Sequence, residues 1–453
     1  MHEQSFMPYI LAFGWVSAML LIGVLLRAKV SIFQKYLFPA SLIGGLIGFV
    51  LISVGWVNIP HKTFTVFAIH FFTLNFISLG LTGNDAKAAD GGSMKKTILK
   101  GSAWMGLTFS FILLTQSLIG FGFNALFNMF GTPIFTGLGG LVGNGFAQGP
   151  GQTVAIAAVW QNAFKIQDAI SIGLTFAAVG FFVASLIGVP LAYWGVKKGL
   201  ATHAPQDLPQ DFRVGISEKN QGPSAGQLTT HSGNIDGFAF QLAMVMFVYF
   251  LTYFACGIMK GLLPPAVKPL AFGLMFLWGM IIAIFFRMIL VKLGGGHLID
   301  NNVQRRLTGT CVDFMIVATL MAVQVAAVWA HIGLLATICI VVAVFTFWIV
   351  LFFGRRSGEF AFERTVALFG YVTGTAASGL LLLRIVDPEF KTSVPTEMGM
   401  MNMFALATTL HLSFFIYILP KVGLPTYLGV VAGTAAGILI LLFVFKLVNK
   451  KAW

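Results

Sequence analysis

The chain is predicted to be an all-α polytopic membrane protein with two inverted repeats of five transmembrane helices plus one re-entrant hairpin each, and an extra C-terminal helix. Three observations predict this. First, 57% of the 453 residues are hydrophobic and only 9% are charged, against about 25% charged in a soluble domain. Second, the apolar runs are long enough to cross a bilayer, which needs about 20 residues of helix. Third, two of the apolar runs are broken by glycine: Gly137 to Trp160, GLGGLVGNGFAQGPGQTVAIAAVW, and Thr365 to Val386, TVALFGYVTGTAASGLLLLRIV.

The spans follow in order. The first half gives Pro8 to Leu26, Phe38 to Val57, Phe64 to Leu81, Gly101 to Phe121, the first broken stretch, and Ile170 to Trp194. The second gives Phe238 to Ile258, Leu270 to Val291, Leu307 to Ala330, Gly333 to Phe353, the second broken stretch, and Gly399 to Leu419. Leu424 to Phe445 is the extra helix. The first apolar run lacks a basic n-region and a small-residue cleavage site, so it reads as a retained helix.

In a helix interior each Gly costs about 1 kcal/mol and a Pro about 3 kcal/mol against Ala. Freed backbone groups at membrane depth survive only where protein or a watery cavity meets them. Gly143, Gly145, Gly149, Pro150 and Gly151 in one stretch, and Gly370, Gly374 and Gly379 in the other, therefore point to hairpins that enter and leave on one side, at about 137–165 and 365–390. Charge supports that topology. With the N-terminus outside and both stretches re-entrant, all of the 28 Lys and Arg except Lys62, Lys165, Lys260, Lys268 and Lys421 fall in cytoplasmic loops, as the positive-inside rule requires. A fully spanning first stretch would turn the clusters at Lys197, Arg305 and Arg355 outward. Five crossings then precede the polar linker and five follow it, so residues 238–419 are inverted relative to 1–194. Residues 195–237, rich in Gly, Pro, Ser and Gln, tether the two halves, and 420–453 hold the added helix and tail. Paired broken helices in inverted repeats mark the binding site of a secondary transporter.

The formal charge of +13 is spread between spans and forms no nucleic-acid patch. Cys256, Cys311 and Cys339 lie in apolar runs without metal or redox spacing. No dinucleotide, Walker, zinc-protease or triad motif appears, which leaves no catalytic set for an enzyme.

FPASLIGGLIGFVL at Phe38, GNGFAQGPGQ at Gly143 and GYVTGTAASG at Gly370 resemble the glutamate:sodium symporter family, over most of the chain up to about Leu419. The resemblance implies sodium-driven uptake of glutamate or a related small anionic carboxylate across a bacterial inner membrane, by a homodimer with an elevator-like motion. Three features depart from the family. Gly149-Pro150-Gly151 stands where glutamate carriers typically have Gly-His-Gly, Arg384 follows the second stretch, and the last helix is additional. Proton coupling to another small organic solute, a channel, and a non-transporting sensor of the same fold stay open as alternatives.

Sodium takes hard oxygen ligands, namely carbonyls, hydroxyls and carboxylates. Backbone at Gly149 and Gly374 offers carbonyls, and Thr153, Thr373, Thr375 and Ser378 offer hydroxyls; small residues of this kind also serve close helix packing. Asn144, Gln148 and Gln152 are amides in an apolar run, where an unpaired amide is costly, and so contact either substrate or the other half. Asp313 is an intramembrane carboxylate, by default a sodium ligand or a countercharge to Arg384 and otherwise a structural aspartate near the membrane surface, with Asn75 as its neutral counterpart in the first repeat. Arg384 can hold a substrate carboxylate bidentately or snorkel toward Asp387 and Glu389. His70 and His411 are proton-relay or packing histidines.

Overall fold

The computed structural model describes residues 6–82, 92–131, 133–203, 210–216, 226–231, 233–265 and 267–453. Every regular element among them is helical. In the first half these are α1 Met7–Lys29, α2 Ser31–Lys35, α3 Ala40–Ser53, α4 His61–Leu81, α5 Gly92–Phe130, α6 Gly137–Gly143 with a π turn Asn144–Gln148, α7 Gly149–Ala163, α8 Ala169–Val183 with a π turn Ala184–Gly188, and α9 Val189–Lys197. A short α10, Gln210–Val214, lies in the linker. The second half holds α11 Gly237–Leu262, α12 Pro269–Gly273, α13 Met275–Lys292, α14 Asn301–Ala322, α15 Val325–Ala330, α16 Ile332–Gly354, α17 Ala361–Thr373, α18 Ala376–Val386, α19 Val394–Phe415, α20 Leu419–Val422 and α21 Leu424–Val444.

Nine helices among the described residues are long and apolar enough to cross a membrane. Two expected spans differ from them for physical reasons. The run Phe38 to Val57 yields a helix of only 14 residues, α3, because Pro39 restricts Phe38 and fixes the start and the chain turns at Gly55 with φ +80°. The run Leu307 to Ala330 becomes α14, which starts earlier at Asn301 under an Asp300 cap accepting from the Val303 amide and so takes in Arg305 and Arg306. Pro150 and Pro190 sit in the first turns of α7 and α9, where a missing N–H costs little.

The helices pack as two bodies, the first built from α1, α3, α4, α11, α13 and α14. Gly23 faces the Ala40 backbone and Gly44 the Met19 backbone, so α1 and α3 meet backbone to backbone, as small residues allow in membranes. Gly45 and Gly48 admit Leu320 and Met321 of α14, and Gly80 admits Met280 and Ala283 of α13. A buried polar chain ties this body: the Ser78 hydroxyl donates to Gln304 Oε1 at 2.8 Å, and Gln304 Nε2 donates to Gln241 Oε1 at 3.0 Å.

The second body contains α5 to α9, α16 to α19, and α21. Gly120 of α5 and Gly139 of α6 touch through their backbones, and Gly106 lies on Met401 and Phe404 of α19. The helix α21 packs on α5, with the Phe121 and Tyr427 rings 5.8 Å apart. The bodies meet through α7 and α8 against α4 and α14, where Val154 and Leu174 join Ala68 and Val317 in one apolar cluster.

Arg364, which the sequence places in a loop, is buried in α17. Its Nε and Nη2 donate to the two Glu397 carboxylate oxygens at 2.7 and 2.6 Å, and its Nη1 donates to the Ser357 carbonyl. Gly101 leaves room for that carboxylate. Removing one partner of a buried pair strands the other charge at a cost of about 3–5 kcal/mol. Glu397→Leu is therefore expected to lower the thermal midpoint of the detergent-solubilised protein sharply, and Arg364→Met in the same chain to recover most of the loss. A Glu397→Leu protein that melts with the parent would remove this pair from the stability account.

Candidate functional site

The two glycine-broken stretches meet. In the first, α6 lies on α5, with Gly140 against the Phe121 ring and Gly143 against Leu113 and Ser117. A side chain at these glycines would hold the stretch away from α5. The helix then widens into the π turn Asn144–Gln148 and breaks at Gly149, with φ +76° and ψ −172°. This is left-handed backbone that glycine adopts freely. The following helix α7 runs back along α8, so that Phe135 before the stretch and Trp160 near its end stack edge to face at 5.5 Å.

In the second stretch α17 ends at Thr373, Gly374 and Thr375 are non-helical, and α18 returns. Gly370 lies on the backbone of Ser378 and Gly379, and Gly379 on Ala367 and Tyr371, which lets α17 and α18 close on each other as an antiparallel pair.

Gly149 abuts the second break. A Cβ built on it would fall 2.6 Å from Thr375 Cγ2 and 3.2 Å from the Gly374 carbonyl oxygen. Gly180 of α8 fits beneath this joint, between the Thr373 carbonyl and the Phe146 Cα. Asn144 Nδ2 donates to Gln148 Oε1 at 2.7 Å, and the Thr153 hydroxyl donates to the Gly149 carbonyl at 3.0 Å. The Thr373 hydroxyl is taken by the Phe369 carbonyl, at 2.6 Å. Asn144, Gln152, Thr153, Thr373 and Ser378 are all buried. Among the described residues, Asn144 Oδ1 and Thr375 Oγ1 have no hydrogen-bond partner. A buried oxygen left in that condition costs about 1–3 kcal/mol, which a cation or a donor group of a solute relieves.

The predicted residues thus divide. Asn144, Gln148, Gly149, Gln152, Thr153, Thr373, Gly374, Thr375 and Ser378 sit at or within a turn or so of the two breaks. Asn75 lies in α4 one turn beyond Phe72, whose ring covers Gly151. Asp313 belongs to the other body, on α14 beside Ser41 of α3. Arg384 is at the far end of α18, exposed, with its guanidinium 5.1 Å from the Phe390 ring; the stack on Phe390 holds the cation at the base of the stretch, away from the breaks. His70 and His411 bond to hydroxyls, Tyr249 at 2.6 Å and Thr434 at 3.0 Å.

Sequence reasoning passed over Gln116, which lies in the middle of α5, fully buried. Its amide donates to Thr346 Oγ1 of α16 at 2.8 Å and to the Val372 carbonyl at 3.1 Å, next to the second break, and its Oε1 has no partner among the described residues. The signal was present: an isolated amide in a long apolar span carries the same desolvation cost that singled out Asn144.

A helical membrane protein with two broken, glycine-lined stretches abutting over unpaired oxygens has the parts of a secondary transporter's binding site. The chain belongs to the sodium/glutamate symporter family, whose profile matches residues 10–372. It is therefore a multi-pass membrane symporter with Na+ as the coupling ion, and not an enzyme. No curated protein matches the chain.

Two substitutions test the joint. Gly149→Ala forces an alanine to positive φ with extended ψ, a conformation nearly confined to glycine, at about 1–3 kcal/mol, and a methyl into Thr375; sodium-driven uptake by reconstituted protein should fall steeply at unchanged protein level. Gln116→Leu keeps the volume but strips two donors, each worth about 1 kcal/mol, and uptake should drop roughly five- to thirtyfold. Parental uptake rates would reduce either residue to packing.

Proposed function

We propose that the chain carries glutamate or a related small carboxylate together with Na+ by alternating access, and that the joint between the two breaks is the binding site. The observation that carries this reading is the direct abutment of Gly149 on Gly374 and Thr375, with unpaired oxygens beside it. Both stretches are read as re-entrant hairpins, a reading supported by the Phe135–Trp160 contact in the first and the glycine-closed α17–α18 pair in the second. Residues 1–194 and 238–419 then form the inverted repeats, each giving three spans to one body and two spans plus a hairpin to the other.

In this scheme Asn144, Gln148, Gln152, Thr153, Thr373, Thr375 and Ser378 contact cargo, and the carbonyls at Gly149 and Gly374 share the cation. Asp313 and Asn75, on the packed pair α14 and α4, act on the cation from the opposing body. Arg384 attracts the anionic solute from the base of its hairpin. The body bearing the joint moves as a unit in an elevator-like step, because its contacts with α4 and α14 are mainly apolar and free of ion pairs among the described residues. The N-terminus lies outside, the C-terminus in the cytoplasm, and the protein works as a homodimer in a bacterial inner membrane. With a monoanionic solute one sodium ion makes the step electroneutral, so a tenfold sodium gradient supplies about 1.4 kcal/mol, or about tenfold accumulation; each further sodium ion adds that amount again and about 2.3 kcal/mol per 100 mV of membrane potential.

The test is uptake into proteoliposomes of a labelled panel of amino and dicarboxylic acids, with and without an inward sodium gradient. Glutamate or a close carboxylate should enter only with sodium, and Asp313→Asn should raise the sodium concentration needed for half-maximal rate. Entry no faster than into empty vesicles, under any sodium or proton gradient, sinks the assignment.

A further inference from the structure

The polar groups at the joint leave one charged feature unused. A cleft of about 790 Å³ opens between α2 and α9, lined by Gln34, Lys35 and Tyr36 on one side, Tyr193 and Lys197 on the other, and Arg213 of α10. It lies at the basic end of the helices, where α1 finishes with Arg27 and Lys29. Arg27 Nη2 donates to the Phe212 carbonyl at 3.1 Å, which holds α10 beside α1. Lys35 lies with its ammonium 5.5 Å from the Tyr36 ring. Among the described residues Lys35 and Lys197 bring two cations to the cleft, with Arg213 at its edge, and no carboxylate lines it.

The walls narrow the chemistry of a ligand. Like charges gathered in one cleft repel, and an anion converts that repulsion into attraction. Val189, Pro190 and Trp194 complete the lining with apolar surface, and Trp194 is 43% exposed. Aromatic rings beside cations at a helix end belong to the headgroup level of a bilayer. A small soluble anion uses the cations but not the apolar wall; a phosphate with acyl chains uses both. Basic pockets between spans on the cytoplasmic side take acidic head groups in this way.

We propose that this cleft binds the phosphate head group of an acidic phospholipid, with Lys35 and Lys197 as its charged ligands. Because α2 continues from α1 of one body and α9 belongs to the other, the lipid bridges the two bodies. This goes beyond the transport reading and needs only that the chain sits in a bilayer.

The experiment is thermal stabilisation of the full-length protein in detergent, titrated with phosphatidylglycerol, phosphatidylcholine or inorganic phosphate. Phosphatidylglycerol should stabilise at lower concentration than phosphatidylcholine, and inorganic phosphate should not stabilise at all. Lys35→Gln with Lys197→Gln should weaken the phosphatidylglycerol response at least about tenfold, whereas Lys450→Gln with Lys451→Gln, which removes two exposed cations outside the cleft, should leave it unchanged. Equal responses to both lipids, an unaltered response in the Lys35/Lys197 variant, or an equal loss in the Lys450/Lys451 variant would overturn the proposal. A response to inorganic phosphate matching that to the lipid would assign the cleft to a soluble anion instead.

Discussion

Two helical stretches that stop in the middle of a hydrophobic protein must give their loose backbone groups something to hold, and here each stretch is placed against the other. Gly149 makes that possible. Its positive φ turns the chain where an L-residue would be strained, and its missing Cβ leaves space that Thr375 and the Gly374 carbonyl occupy. The surrounding structure serves this contact. Gly120, Gly139, Gly140 and Gly143 let the first stretch sink onto α5, Gly180 receives the Thr373 carbonyl, and Gln116 grips the Val372 carbonyl from behind. Freed peptide groups at such depth are tolerated only when protein encloses them or a polar cavity meets them, and both conditions are served by bringing the breaks together.

The same logic separates the two bodies. Within each, seams are either backbone-on-backbone through glycine or fixed by buried polar groups: Ser78–Gln304–Gln241 in one, Arg364–Glu397 and Gln116–Thr346 in the other. Between them the contacts are largely apolar, with Phe72 over Gly151 and Val154 and Leu174 against Ala68 and Val317; the Gln324 backbone N–H donating to Ser171 Oγ, at 3.3 Å, is a long polar link across. Apolar surfaces lose little when they slide, because the interaction is non-directional, whereas a buried ion pair is lost abruptly.

Much of the site was legible in the chain. Glycines spaced through Gly137 to Gly151 and Gly370 to Gly379 are poor helix formers, so the positions of both breaks follow from propensity, and Gly149 and Gly374 fall at them. Asn144 and Thr375 stood out as polar groups in apolar runs and prove to carry unpaired oxygens. Gln116 carried the same signal and was overlooked because its span is otherwise regular. Arg364 shows the opposite error of reading charge from sequence: it was assigned to a loop, yet it is buried because Glu397 comes to it. Arg384 is exposed beside the Phe390 ring at the base of α18, a placement in keeping with the snorkelling alternative.

By itself the sequence determined the class and the grain of this protein: helical, bilayer-spanning, broken twice, with basic loops. These are properties of composition, propensity and length, and each is local. The tertiary structure alone decided which side chains meet. That Gly149 faces Thr375, that Gln116 reaches Val372, and that Asp313 lies on the other body from both depend on packing between segments up to 256 residues apart. Such contacts are fixed by shape and by the need to pair buried polar groups, and no spacing along the chain encodes them.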